Sequence, residues 1–186
     1  MRKALLTGGS SKFGAVFKRV LEESRSAGYD LQGKSRWDVE VVPREFISSY
    51  PKEWQPKLSG EEYDLIFFNH NTPVRGMNGF DDTDVDIIKK LNPRQDVMIG
   101  WMITGDAIHL NKSIMVAAGY KSPHFQLYIA QKAIYITRMR YYYLQSGFRT
   151  FVVNPGHMEE PNYARKARQL SNFIDKDFAP CSVHTL

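Results

Sequence analysis

Apolar and polar positions along the chain fall into short runs whose period changes repeatedly. Lys3-Ala4-Leu5-Leu6 reads as a short buried strand. The polar, glycine-rich stretch Thr7-Gly8-Gly9-Ser10-Ser11-Lys12-Phe13-Gly14 follows, and residues 15–21 read as an amphipathic helix with Val16, Val20 and Leu21 on one face. Gly28 is a helix stop, residues 29–33 a second strand, and residues 38–43 a third that ends at Pro43. Residues 63–69 form a fourth strand; the near-continuous run Leu65-Ile66-Phe67-Phe68 is the pattern of a strand covered on both faces. Asp82 to Lys90 is helical and is broken at Asn92-Pro93. Gln95 to Leu110 reads as a long helix with Val97, Met98, Trp101, Met102, Gly105 and Ile108 on a wide apolar surface. A fifth strand at residues 112–117, a long helix from Leu127 to Gln145, a sixth strand at residues 150–154 stopped by Pro155-Gly156, and a helix from Asn162 to Asp175 complete the pattern, followed by a loose tail.

Repeated β–α alternation predicts a parallel sheet with helices on both faces. At 186 residues the simplest organisation is a single domain over residues 1–186. Apolar residues make up 42% and charged residues 24%, the balance of a soluble globular chain. No apolar run approaches the roughly 20 residues of a membrane span. A strand beginning at Lys3 leaves no room for a signal peptide, and the one cysteine, Cys181, excludes an internal disulfide framework, so a cytoplasmic location is expected.

The net charge of +5 is modest and spread out, with mild clusters at residues 34–36, 138–140 and 165–168. No aromatic-basic motif accompanies them, so no nucleic acid partner is expected. A phosphorylated cofactor or substrate accounts for part of the excess. The acidic stretch from Asp81 to Asp86 reads as an acid-rich helix start, and His70, His109, His157 and His184 lack metal-ligand spacing, so no metal is expected.

Strand, glycine turn and helix together put a phosphate at a helix amino end, where backbone N–H groups and the helix dipole favour an anion. A second candidate lies far downstream. Tyr128 and Lys132 are four positions apart and share a helix face. A free phenol, with a pKa of about 10, is a poor acid or base at neutral pH, and a nearby ammonium lowers that value. In an open parallel sheet ligands bind beyond the carboxyl ends of the strands. The glycine turn, Asn69-His70-Asn71, the exit of the fifth strand, Tyr128 and the Asn154-Pro155-Gly156 turn all belong to that edge.

Taken in order, these segments resemble the short-chain dehydrogenase/reductase family. Residues 7–14 resemble its cofactor turn, residues 64–71 its fourth strand and the Asn-Asn-Ala-Gly exit, Tyr128 and Lys132 its Tyr-x-x-x-Lys pair, and residues 154–158 its Pro-Gly segment. The resemblance implies an α/β fold with a Rossmann-type doubly wound parallel sheet in three α/β/α layers. It implies an NAD(P)(H)-dependent oxidoreductase acting on a small carbonyl or alcohol. Thr7, Gly8, Ser10, Phe13 and Gly14, with Ser11 and Lys12 in the same turn, would cradle adenosine and pyrophosphate. Asn69 would lie near the adenosine ribose, with His70 and Asn71 beside it. Tyr128 would be the acid/base, Lys132 would hold the nicotinamide ribose and tune Tyr128, and Pro155, Gly156 and Met158 would line the nicotinamide pocket. The stretch Gly33-Lys34-Ser35-Arg36 ends the second strand without an acid, which favours NADP over NAD as cofactor. Helices 95–110 and 127–145 would pair subunits into a homodimer or homotetramer.

Several positions depart from the family pattern. Lys12 replaces the middle glycine of the turn. Alanines stand where the catalytic serine is expected, leaving Ser122 or His124 as substitutes, and Met98 stands where a helix asparagine belongs. About 30 residues remain after the Pro-Gly segment, so the fold is expected to be truncated at its C-terminal end. The alternatives are a non-catalytic NAD(P)-binding or regulatory module and a nucleotide-sugar-binding protein on a similar scaffold.

Overall fold

The structure, a computed structural model, describes residues 1–23, 37–43, 54–70, 82–103, 123–156 and 158–186, the side chains of 123–128 excepted. Its elements in chain order are β1 (Arg2–Thr7), α1 (Lys12–Glu23), β2 (Trp37–Val41), β3 (Leu65–Phe68), α2 (Thr83–Leu91), β4 (Met98–Met102), α3 (Pro123–Ser146), β5 (Arg149–Asn154), α4 (Tyr163–Ile174) and β6 (Ser182–Thr185). The strands form one six-stranded sheet in the order β2-β1-β3-β4-β5-β6. Every neighbouring pair is parallel.

Side chains alternate across the sheet with the period of two that a strand imposes. Leu5, Ile66, Phe68, Ile99, Trp101 and Val152 face one side and pack with Ile87 and Leu91 of α2 and Ile129, Tyr135 and Met139 of α3. Ala4, Leu6, Leu65, Phe67, Met98, Met102, Phe151 and Val153 face the other, against Phe13, Phe17 and Leu21 of α1 and Ala167, Leu170 and Ile174 of α4. The result is a Rossmann-like three-layer α/β/α fold. No helix among the described residues is long and apolar enough to cross a membrane.

The largest correction concerns the segment read as a helix over residues 95–110. Its residues Met98–Met102 are strand β4, between β3 and β5. All five are buried. A continuous apolar run satisfies helical and doubly covered strand patterns alike, and the run alone does not separate them. Gly100 shows why this strand fits there: a Cβ would overlap the Phe151 ring and approach Phe67. Those rings, on flanking strands, stack with centroids 6.1 Å apart. The subunit-pairing surface assigned to helix 95–110 loses its basis over this part, and residues 104–110 lie outside the described residues.

The tail is also corrected. It contributes β6, which pairs with β5 from Phe151↔Ser182 to Asn154↔Thr185, so the sheet is not cut short after the Pro-Gly segment. Only alternate residues of this edge strand are exposed, and just one, Val183, is apolar, so no apolar run marked it. The strands expected at residues 29–33 and 112–117 lie outside the described residues; the strand beside β1 is Trp37–Val41.

The acid-rich start of α2 is partly structural. Asp84 is fully buried, accepts a hydrogen bond from Trp101 Nε1 at 2.8 Å and pairs with Arg138 of α3, which also reaches Asp82. This ties α2, β4 and α3 together.

Candidate functional site

The carboxyl ends of the parallel strands set the edge where the site is built. At the end of β1, Gly8 has φ +65°, the left-handed region that favours glycine. A Cβ there would also lie 2.6 Å from the Asn69 carbonyl oxygen at the end of β3. Gly14, in the first turn of α1, sits so close to the Gly8 carbonyl that any Cβ would overlap it. The two glycines therefore draw turn, helix and neighbouring strand into contact. Ser11 Oγ accepts a hydrogen bond from Gly14 N–H at 3.0 Å, the geometry of an N-cap. The intrahelical ladder leaves the N–H groups of Lys12 and Phe13 without an acceptor at this end.

Thr7 joins β1 to β3. Its Oγ1 accepts from Asn69 N–H at 3.0 Å and lies 2.6 Å from His70 Nδ1. Thr7 and His70 are both buried. Asn69 Nδ2 reaches Ser11 Oγ at 3.4 Å. Asn69 thus stands against the glycine turn, whereas His70 faces inward, its ring edge-on to Phe68.

Lys132 reaches the same edge from α3. It is 3% exposed, and Nζ donates to the carbonyls of His70 at 3.1 Å and Met102 at 3.2 Å. Its ammonium lies 5.2 Å from the Tyr135 ring centroid, a cation–π distance. A buried ammonium is tolerated because acceptors replace its water. The side chain therefore clasps the carboxyl ends of β3 and β4. Tyr128 lies in α3, four positions earlier and on the same helix face; its side chain is outside the described set. Tyr142, later in the same helix, is a different kind of tyrosine: burial, followed by the field of Asp84, pushes its phenol up to about 12. It stays protonated at neutral pH.

At the end of β5 the Asn154 side chain accepts from Gly156 N–H at 3.0 Å, and Gly156 has φ +64°. Pro155 is buried and Gly156 exposed; Met158 packs at the border of the α1–α4 core. Ile103 N–H donates to Val153 O at 2.9 Å, extending the β4–β5 ladder by one residue beyond Met102.

Thr7, Gly8, Ser11, Lys12, Gly14, Asn69, Lys132, Pro155 and Gly156 thus come together along one edge. Ser10 is exposed in the same turn. Phe13 is a partial correction: its ring is buried against Phe17 and Tyr163, each centroid 6.0 Å away, leaving only its backbone to face the edge. Lys12 points its ammonium to Glu160, a residue the sequence reading did not single out. The two are 148 positions apart, so no local spacing signals the pair.

Lys34, Ser35, Arg36, Asn71 and Ser122 lie outside the described residues. Two described strands flank these segments in sequence. Residues 34–36 immediately precede Trp37, which pairs with Arg2 at the amino end of the sheet; the carboxyl end of β2 is Val41-Val42-Pro43. The described strand that precedes α3 and pairs with β5 is β4, and the sequence that follows it reads Ile103-Thr104; residues 112–117 lie outside the described residues.

No family model matches the sequence, and no curated protein does. Solved structures do match in fold. A Brucella melitensis short-chain dehydrogenase/reductase, described as a glucose/ribitol dehydrogenase, superposes with a TM-score of 0.60 at 13% identity over 100% of this chain and 94% of its own. Serine dehydrogenase from Escherichia coli gives 0.60 at 12% identity, over 99% of this chain and 96% of its own. An NADH-dependent reductase in complex with NAD gives 0.61 at 11%, over 100% and 94%. The chain has the fold of the short-chain dehydrogenase/reductases; at these identities the likeness is one of fold.

Proposed function

We propose that this protein is an NAD(P)(H)-dependent oxidoreductase that reduces a carbonyl of a small molecule, with Tyr128 as the acid/base. The observation that carries the reading is Lys132: a buried ammonium held on the carbonyls of His70 and Met102, at the edge that α1 also faces with its amino end. Tyr128 precedes it by one helical turn.

The residues present fit a dinucleotide. At Gly8 and Gly14 a Cβ would collide with the Asn69 and Gly8 carbonyls, so the turn holds the amino end of α1 tightly against the ends of β1 and β3. The N–H groups of Lys12 and Phe13 suit a diphosphate, Asn69 the adenosine side, and Pro155 and Gly156 the nicotinamide side. Such a cofactor, when bound, supplies the hydride. Tyr128 hands its hydroxyl proton to the substrate oxygen, and the nearby Lys132 ammonium favours the phenolate that remains. Thr104, next in sequence after the last β4 ladder contact, is the hydroxyl to test in the role sought at Ser122.

NADP remains the favoured cofactor, on different residues. Val41-Val42-Pro43 bring no acid to the carboxyl end of β2, and Arg44 is next in sequence. Glu40, the last carboxylate within β2 itself, is buried and accepts from Tyr63 OH and from Lys57 N–H at 3.1 Å. It is therefore not free to accept from a ribose hydroxyl.

Replacing Tyr128 by Phe tests the mechanism. Turnover of a carbonyl panel should fall by about 10²–10⁴-fold. NADPH affinity, measured by calorimetry, should fall by no more than about tenfold, because a phenol-to-phenyl change removes at most one hydrogen bond of about 0.5–1.5 kcal/mol. Undiminished turnover in Tyr128→Phe sinks the acid/base role. NADPH binding by the unmodified protein without turnover of any panel member would point to the binding module instead.

A further inference from the structure

Lys12 and Glu160 form an ion pair at the mouth of the proposed cofactor site. Lys12 is the first residue of α1, and Glu160 opens the 3₁₀ turn Glu160–Asn162 that leads into α4. The two helices pack side by side, with the Phe13 and Tyr163 rings edge-on at 6.0 Å. Both amino ends therefore present their positive dipole ends to one region. Glu160 also follows the Pro155-Gly156 turn of β5, so the pair spans from the β1 turn to the β5 exit. A diphosphate seated on the amino end of α1 would lie beside the Lys12 ammonium, since Lys12 is the first residue of that helix.

Stability does not explain the pair. The side chains are 75% and 63% exposed, and ion pairs at such sites contribute little to folding. The hydrogen bond between them holds the Glu160 carboxyl below the usual carboxylate range and the Lys12 ammonium above its own, so both are charged at neutral pH. A lysine in the first turn of a helix is also opposed by the dipole, whereas a carboxylate or phosphate beside it is favoured. Lys12 in this position is suited to hold an anion, and Glu160 is the anion the chain itself provides.

We propose that Glu160 is the resident counter-ion of Lys12 and competes with the ligand diphosphate, which takes the Lys12 ammonium over and releases the Glu160 turn. The proposal rests on the dinucleotide reading above. It assigns to the Lys12 side chain a direct role in phosphate binding, and to Glu160 a restraint on affinity that only phosphate-bearing ligands must overcome.

Calorimetric titration of the unmodified protein, Glu160→Gln and Lys12→Met with NADPH, NADH, ADP and adenosine at low salt tests this. Urea midpoints of the three proteins should coincide, since both side chains are exposed. Glu160→Gln should bind NADPH and ADP about three- to tenfold more tightly, Lys12→Met should bind them more weakly by a similar factor, and adenosine affinity should not change. Unchanged or weaker NADPH binding by Glu160→Gln overturns the competition. A gain for NADPH without one for ADP also overturns it, because Glu160 would then act at the nicotinamide end. If all three proteins are folded and none binds NADPH, NADH or ADP, the dinucleotide reading falls and takes this proposal with it.

Discussion

The two halves of the ligand edge are built from different materials. Where β1 and β3 end, the site is backbone: Gly8 and Gly14 bring main chain against main chain, Ser11 caps α1, and Thr7 pins the Asn69 amide. Between the ends of β3 and β4, one long side chain does the joining, the Lys132 ammonium on the carbonyls of His70 and Met102. The first half is inseparable from the fold, because the contacts that shape the turn also seat α1 on the sheet. The second half hangs on a charge that helix α3 delivers from outside the sheet. Damage to the first should therefore register as lost stability, and damage to the second chiefly as lost chemistry.

Gly14→Ala presses hardest on that contrast. The new methyl would overlap the Gly8 carbonyl, a backbone atom that cannot swing aside as a side chain can. Alanine gains up to about 1 kcal/mol of helix propensity. The steric cost exceeds it, for a net loss of about 2–3 kcal/mol, read as a lower urea midpoint at unchanged m. NADPH binding should weaken together with stability. A variant as stable as the parent would show that the turn relaxes freely and that the backbone half is not rigid.

Lys132→Met comes next. Methionine keeps the length of the stem but abandons two buried acceptors. Hydrogen bonds to charged groups contribute about 1.5–3 kcal/mol each, while relief from burying an ammonium offsets part of that. A net loss of about 2 kcal/mol is expected by thermal or urea unfolding. On the proposed mechanism carbonyl turnover should fall far more than this stability loss implies, since the Tyr128 phenolate would lose its cation. Equal losses of stability and turnover would erase the distinction between the two halves.

The same contrast explains what the sequence disclosed. The backbone half is written locally: strand, glycines, serine cap and amphipathic helix are contiguous, and residues 2–23 fold as their pattern implies. Strand β4 is not, because Met98-Ile99-Gly100-Trp101-Met102 is apolar throughout, and only the neighbouring Phe67 and Phe151 rings explain its glycine. Strand β6 escaped notice because an edge strand needs little apolar sequence, and Thr150 O accepts from Cys181 N–H at 2.6 Å where no periodicity signals it. The Tyr128–Lys132 spacing was legible, but not that the lysine would bind His70 and Met102 carbonyls, 62 and 30 residues away. Long-range pairs such as Lys12–Glu160 leave no trace in a window of any practical length.

The smallest effect separates fold from ligand within the backbone half itself. Ser11 Oγ accepts from Gly14 N–H at 3.0 Å and from Asn69 Nδ2 at 3.4 Å, and the residue is exposed. Ser11→Ala removes the cap and should cost about 1 kcal/mol. Ser11→Asp restores a capping oxygen, so stability should return to near the parent value. It also puts a fixed carboxylate beside the Lys12 and Phe13 N–H groups, where a diphosphate would bind, so NADPH affinity should fall although the fold is repaired. Stability that returns with affinity intact would mean that the anion seat lies elsewhere than the amino end of α1. Stability that stays low would mean that the serine hydroxyl donates a bond the carboxylate cannot, making Ser11 more than a cap.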